Sequence, residues 1–187
     1  MLKQISLLIL CAVAIVLFAT PVHACTSAVV SGKVTLDGRP LLWKNRDTDF
    51  MRNHVDYVKG ERYDFIAVVN SANAYLKEAW MGTNSAGFAL MNTQSYNLVD
   101  VKGDEERGAA NGRVIYRALE VCATVEDFCH FLDTISKPSD IEANFGVIDA
   151  QGGAAMFEVD YYKYVMYDAN NPKDAPYGYI ARTNFSF

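Results

Sequence analysis

The chain has 187 residues, of which 51% are hydrophobic and 21% charged, a balance that excludes a disordered or fibrous protein. Its net charge of -5 and pI near 5.1 leave no basic stripe to displace counterions from phosphates, which argues against nucleic acid as a partner.

The first elements predicted are those of a secretory signal. Lys3 supplies a short positive region, Ile5 to Phe18 form an almost purely apolar run, and Thr20 and Pro21 break it. Val22-His23-Ala24 then puts small or apolar residues where a signal peptidase reads them, so residues 1–24 are assigned as a signal peptide. The apolar run is short for a membrane-spanning helix, and no membrane span is expected after its removal; a retained anchor is the competing reading. The expected location is periplasmic or extracellular. What remains, residues 25–187, is long enough for one domain with its own core.

Along that domain, Thr26 to Ser31 reads as a strand starting at once. Asp37-Gly38 is a turn signal, expected to join Lys33-Val34-Thr35 to Pro40 through Lys44 as a hairpin. Further strands are expected over Asp64 to Asn70, Tyr75 to Met81 and Gly87 to Asn92, with a turn from Gly82 to Gly87. Ala109 to Ala123 has the three-and-four apolar spacing of an amphipathic helix. A second helix is expected from a Thr124 cap, with Asp127 in a capping-box position, to about Ile135, ahead of Pro138. Strands return at Asn144 to Asp149, Ala154 to Asp160, Tyr162 to Tyr167 and Tyr177 to Arg182, with Gln151-Gly152-Gly153 as a turn. Strands, a helix pair and strands again define an α+β fold with predominantly antiparallel sheets.

Cysteine usage points to one residue. Cys11 falls in the signal, and Cys122 and Cys129 lie in apolar helical surroundings as small core residues, with a disulfide between them not indicated. Cys25 follows the cleavage point directly. Cleavage there would give one residue a thiol, with a reference pKa of about 8.5, and a free α-amine of about 7.7–8.0, so nucleophile and base would belong together. Three readings compete: a buried early cysteine, a lipidated lipoprotein cysteine, and a papain-like pairing with His54 or His130. His23 suits a lipoprotein signal poorly, and TSAVVSG reads as strand rather than as a polar tether. Neither histidine sits in a papain-type signature. No Cys/His spacing resembles a zinc site and no Gly-rich phosphate loop follows a strand, so neither a metal nor a cofactor is expected.

Cys25-Thr26-Ser27-Ala28-Val29-Val30-Ser31-Gly32, followed by Gly38 through Asp47, resembles the mature start of the choloylglycine hydrolases, penicillin V acylases and isopenicillin N acyltransferases. Gly82 through Asn92, Leu119 through Asp127 and Ile180 through Asn184 resemble later motifs of that group in the same order. The resemblance implies an N-terminal-nucleophile (Ntn) hydrolase with a four-layer αββα sandwich that cleaves linear, non-peptide amides of small molecules. It also implies roles: Cys25 the nucleophile, Asp47 the carboxylate orienting its amine, Asn184 an oxyanion-hole donor and Asn92 a second donor. Without it, Asp47 would read as a solvated loop acid, and Asn92 and Asn184 as turn residues. Lys44 stands where relatives usually have an arginine, and Arg46 lies beside it as a second electrostatic or substrate-binding group. Family members are longer, so the sequence is expected to be the N-terminal part of such an enzyme. The contrasting class is an exported lipoprotein or an inactive relative with a binding role; acyl transfer and a homo-oligomeric state are both left open.

Overall fold

The computed structural model describes residues 24–98 and 108–187. Of the assigned signal segment only Ala24 falls within them, so the signal itself lies outside the described residues. Among the described residues, ten strands and two α-helices follow in chain order. These are β1 (Thr26–Val30), β2 (Leu41–Asn45), β3 (Asn53–Val58), β4 (Phe65–Asn70), β5 (Met81–Asn84) and β6 (Ala89–Gln94). Helices α1 (Asn111–Val121) and α2 (Val125–Thr134) come next, then β7 (Ala143–Ile148), β8 (Ala154–Val159), β9 (Tyr164–Asp168) and β10 (Tyr179–Arg182).

Every pairing is antiparallel. One sheet has three strands in the order β10-β1-β2, and the other has seven in the order β3 to β9, with the helix pair inserted between β6 and β7. The layers stack as helices, seven-stranded sheet, three-stranded sheet. Strands β7 and β8 (ANFGVI and AAMFEV) are buried on both faces, which explains why their sequences lack polar alternation. One face packs under α1 and α2 around Phe65, Leu90, Ile115, Leu119, Phe128 and Phe157. The opposite face meets the three-stranded sheet through Val29, Met91, Met156 and Ile180. On the outer face of the three-stranded sheet, Leu41, Trp43 and Tyr179 are about half exposed.

The helix signals form as expected. The Thr124 hydroxyl accepts from the Asp127 amide, and the Asp127 carboxylate accepts from the Thr124 amide, a complete capping box. Asp149 fixes the β7–β8 turn by accepting from the Gln151 and Gly153 amides, and its other oxygen accepts from Val125 at the start of α2. Gly152 takes the positive φ of 93° that this turn needs. The three cysteines within the described residues are free.

Two strand expectations are corrected, and one further strand is found. Lys33-Val34-Thr35 is not a strand: Gly32–Val34 is a 3-10 turn, and the hairpin pairs β1 with β2 instead. Local hydrogen bonds outcompete a ladder here, because the Ser31 hydroxyl accepts from the Lys33 amide and Thr35 Oγ1 donates to the Gly32 and Arg39 carbonyls. Tyr75 to Met81 holds a 3-10 turn at Ala74–Leu76 followed by Lys77 at φ 55°, a left-handed residue that no ladder accommodates, so β5 starts only at Met81. Strand β3 was not expected. It is the exposed edge of the large sheet, and its polar residues disguise the alternation of Val55 and Tyr57 with His54 and Asp56.

Candidate active site

Antiparallel register assembles the site from three distant segments. In the β1–β2 pair, Ser27 lies opposite Lys44 and Thr26 opposite Asn45, so Arg46 and Asp47 continue past the strand end alongside Cys25. In the β1–β10 pair, Ser27 lies opposite Arg182, and the same register carried two residues further sets Asn184 beside Cys25. Cys25, Ser27 and Val29 share one face of β1, by the period of two, and that face looks toward the seven-stranded sheet.

The Cys25 nitrogen, a backbone amide while Ala24 precedes it, donates to Asn184 Oδ1 at 2.6 Å. Asn184 Nδ2 donates to the Gln94 carbonyl at 2.8 Å, and its own carbonyl accepts from the Tyr96 amide at 2.9 Å, so this buried side chain is held from both ends. The Asp47 carboxylate accepts from the Ala24 amide at 3.0 Å, and Cys25 Sγ lies 3.5 Å from the Asp47 carbonyl oxygen. Cys25, Asp47 and Asn184 thus converge on one point.

The remaining expected residues form the floor. Lys44 Nζ crosses between the sheets, donating to the Trp80 carbonyl at 3.0 Å and to Asn92 Oδ1 at 3.2 Å. Asn92 is buried on β6 and meets Lys44 rather than Cys25. Burial pushes the Lys44 ammonium down to about 7; Cys25 pulls it up and Arg46 pushes it further down. Arg46 is bound by Asn53 and Asn70 at the ends of β3 and β4 and sits 5.1 Å over the Trp80 ring. Burial also lowers its pKa, against a pull from Cys25.

Some site residues carried no signal in the sequence. Tyr96 follows β6 with its ring edge-to-face against Phe185 at 6.0 Å, and both rings are half exposed. Burial, with Cys25 and Asp47 nearby, holds the Tyr96 phenol above its ordinary pKa. A polar latch fixes this wall: Asn97 Nδ2 donates to the Ser186 carbonyl, Asn97 Oδ1 accepts from the Ser186 amide, and the Ser95 and Ser186 hydroxyls meet at 2.8 Å. Further along β2, an apolar cleft of about 380 Å³ opens between the sheets, lined by Leu42, Ile66, Val68 and Met81 among others. Among the described residues there is no group of three or more His, Cys, Asp or Glu side chains able to hold a metal ion, and no helix long and apolar enough to cross a membrane.

Two stacked antiparallel sheets with a helix pair on one face make up, among the described residues, three of the four layers of the expected αββα sandwich, and solved amide hydrolases superpose on this chain. An N-acylethanolamine-hydrolyzing acid amidase ortholog from Caenorhabditis elegans matches with a TM-score of 0.65 at 14% identity, over 87% of this chain and 71% of its own. A conjugated bile acid hydrolase variant from Clostridium perfringens matches with a TM-score of 0.57 at 14% identity, over 77% of this chain and 51% of its own. The chain therefore spans about half the length of the bile acid hydrolase. No curated protein gives a significant sequence match. The sequence model of the acyl-coenzyme A:6-aminopenicillanic acid acyl-transferase family matches residues 35–186, and the chain belongs to that family.

Proposed function

We propose that this protein hydrolyses linear, non-peptide amide bonds of small molecules, with Cys25 as nucleophile and its own α-amino group as base once residues 1–24 are removed during export to the periplasm or beyond. The supporting observation is the convergence on Cys25, whose nitrogen lies 2.6 Å from Asn184 Oδ1 with Asp47 on the adjoining segment. In this reading the thiol proton passes to the amine, and Sγ attacks the amide carbonyl. Asn184 keeps one Nδ2 hydrogen beyond its bond to Gln94 for the developing oxyanion, a donor worth about 3 kcal/mol in such sites. Asn92 supplies the floor on that side and is the second donor. Asp47 orients the amine, which returns the proton to the leaving amine. Water then resolves the thioester, and no metal or cofactor takes part.

Amine release from a panel of conjugated bile salts, penicillin V, N-acyl amino acids and N-acylethanolamines tests this. At least one substrate should release amine, and adding a second amine as acceptor would separate acyl transfer from hydrolysis. Silence across the panel, or a diacylglyceryl group on Cys25 by mass spectrometry, would overturn the reading in favour of an exported binding protein.

A further inference from the structure

Strand β9 ends the seven-stranded sheet on the side where α2 packs, and the register decides what meets there. Met166 lies opposite Phe157 of β8, so the two side chains share one face of the sheet. Phe157 in turn packs edge-to-face under Phe128 of α2, with ring centroids 5.0 Å apart. Cys129 follows Phe128 at the rim of that contact, and its thiol points at the Met166 thioether with Sγ and Sδ 3.8 Å apart. Both sulfurs line a cleft of about 450 Å³ together with Val125, Glu126, Asp149 and Gln151. Met166 is 42% exposed and Cys129 is half-buried, whereas Cys122 is sealed under α1. Two sulfur atoms from separate elements therefore face each other at a place that solvent reaches.

We infer that Cys129 and Met166 form a binding site for a soft monovalent metal ion of the Cu(I) class, held between one thiolate and one thioether. These two donors are the pair that selects Cu(I) over harder ions. A structural zinc ion needs four ligands, and the described residues around this cleft offer no third His, Cys, Asp or Glu able to complete a set. Two metal–sulfur bonds of about 2.3 Å span the observed 3.8 Å at a bent angle, so the ion enters without a rearrangement of α2 or β9. The charged groups lining the cleft are the acids Glu126 and Asp149, and the Asp133 and Glu126 carboxylates also act on the Cys129 thiol, which favours a cation. Asp149 stays bound to the Val125, Gln151 and Gly153 amides and contributes its field alone. The step balances as Cys129–SH plus M⁺ giving Cys129–S–M plus H⁺; the S–H bond breaks, the Met166 sulfur lends a lone pair, and no electron is transferred. The site is on the helix side of the large sheet, while Cys25 meets that sheet from the opposite side. It is therefore separate from the amide chemistry proposed above.

Ag(I), which has the same preference for sulfur and does not change oxidation state, serves as the probe. It is titrated as the nitrate, in chloride-free buffer, into the full chain carrying Cys25→Ser, so that the more exposed thiol does not compete. Calorimetry reads the affinity, and native mass spectrometry counts the ions bound. One Ag(I) should bind per chain and release one proton. Adding Cys129→Ser should abolish that equivalent, and adding Cys122→Ser should leave it unchanged. Adding Met166→Leu, which keeps the size of an exposed edge side chain, should weaken binding by about tenfold or more, since loss of even an outer partner of a metal ligand costs that much. Absence of any equivalent that depends on Cys129 would overturn the inference. So would unchanged affinity in Met166→Leu, which would reduce the site to a single thiol. If Cys129→Ser fails to fold, as judged by circular dichroism, Met166→Leu decides alone: weakened binding supports the pair, and identical titrations sink it.

Discussion

Cys25 and Asn184 are 159 positions apart, yet the Cys25 nitrogen meets the Asn184 carboxamide at 2.6 Å. The pairing of β1 with β10 brings them together, and it leaves no trace in composition or local periodicity. Cys25, Asp47 and Asn184 could be named in advance only because their flanking motifs resemble a known family; alternation alone could do no more than point Lys44 inward. Replacing Cys25 by serine should lower amine release by about 1,000-fold or more, whereas Cys122→Ser, altering a buried thiol under α1, should leave the rate within a factor of a few. Circular dichroism on both variants separates chemistry from folding. Lys44 also has a stability signature. Its pKa is depressed in the folded chain to about 7 from an ordinary 10.5, so between these values the unfolded chain binds the extra proton and stability rises with pH. Below about 7 both states carry it and the folded protein bears the full cost of the partly desolvated charge. The melting temperature of Lys44→Met relative to the parent should therefore be highest near pH 6 and fall as pH approaches 9; a difference independent of pH would contradict this.

Elements with local causes were legible. The α1–α2 pair, the capping box at Thr124 and the glycine turn before β8 each follow from residues within a few positions of one another, and they form as the sequence predicts. The misread stretches are those where a side chain competes with the ladder or where the strand lies at an edge. Ser31 and Thr35 turn the chain ahead of β2, Lys77 interrupts the approach to β5, and β3 is a polar edge strand. The junction of sheet and helix depends on Asn84, a buried residue that β-propensity would disfavour. Its Nδ2 donates to the Leu119 and Cys122 carbonyls at the end of α1, and its Oδ1 accepts from the Ala86 and Phe88 amides of the β5–β6 turn. Asn84→Ala would strand these groups and should cost about 3 kcal/mol, read as a lower denaturant midpoint at an unchanged slope. Phe128 holds the other helix, with Phe88, Phe145 and Phe157 ring centroids within 6.3 Å. Phe128→Ala should cost about 3–5 kcal/mol, and a loss below 1 kcal/mol would show that α2 is not pinned by this cluster.

At the scale of the whole molecule, both ends of the described chain meet at one site. The first strand begins at Thr26, directly after Cys25, and the segment after β10 is latched through Asn97 and Ser186 to the loop that carries Tyr96. Under the proposed function, the state of Cys25 after export is decisive. If export removes residues 1–24, the intact mass of the protein recovered from the periplasm or medium corresponds to a chain starting at an unmodified Cys25. In the proposed reaction the free amine of that residue is the base, and the direct measurement is the initial rate of amine release by protein starting at Cys25, compared with protein that retains Ala24 before it. Blocking the base should lower the rate by about 100-fold or more. Equal rates from the two proteins would contradict the account.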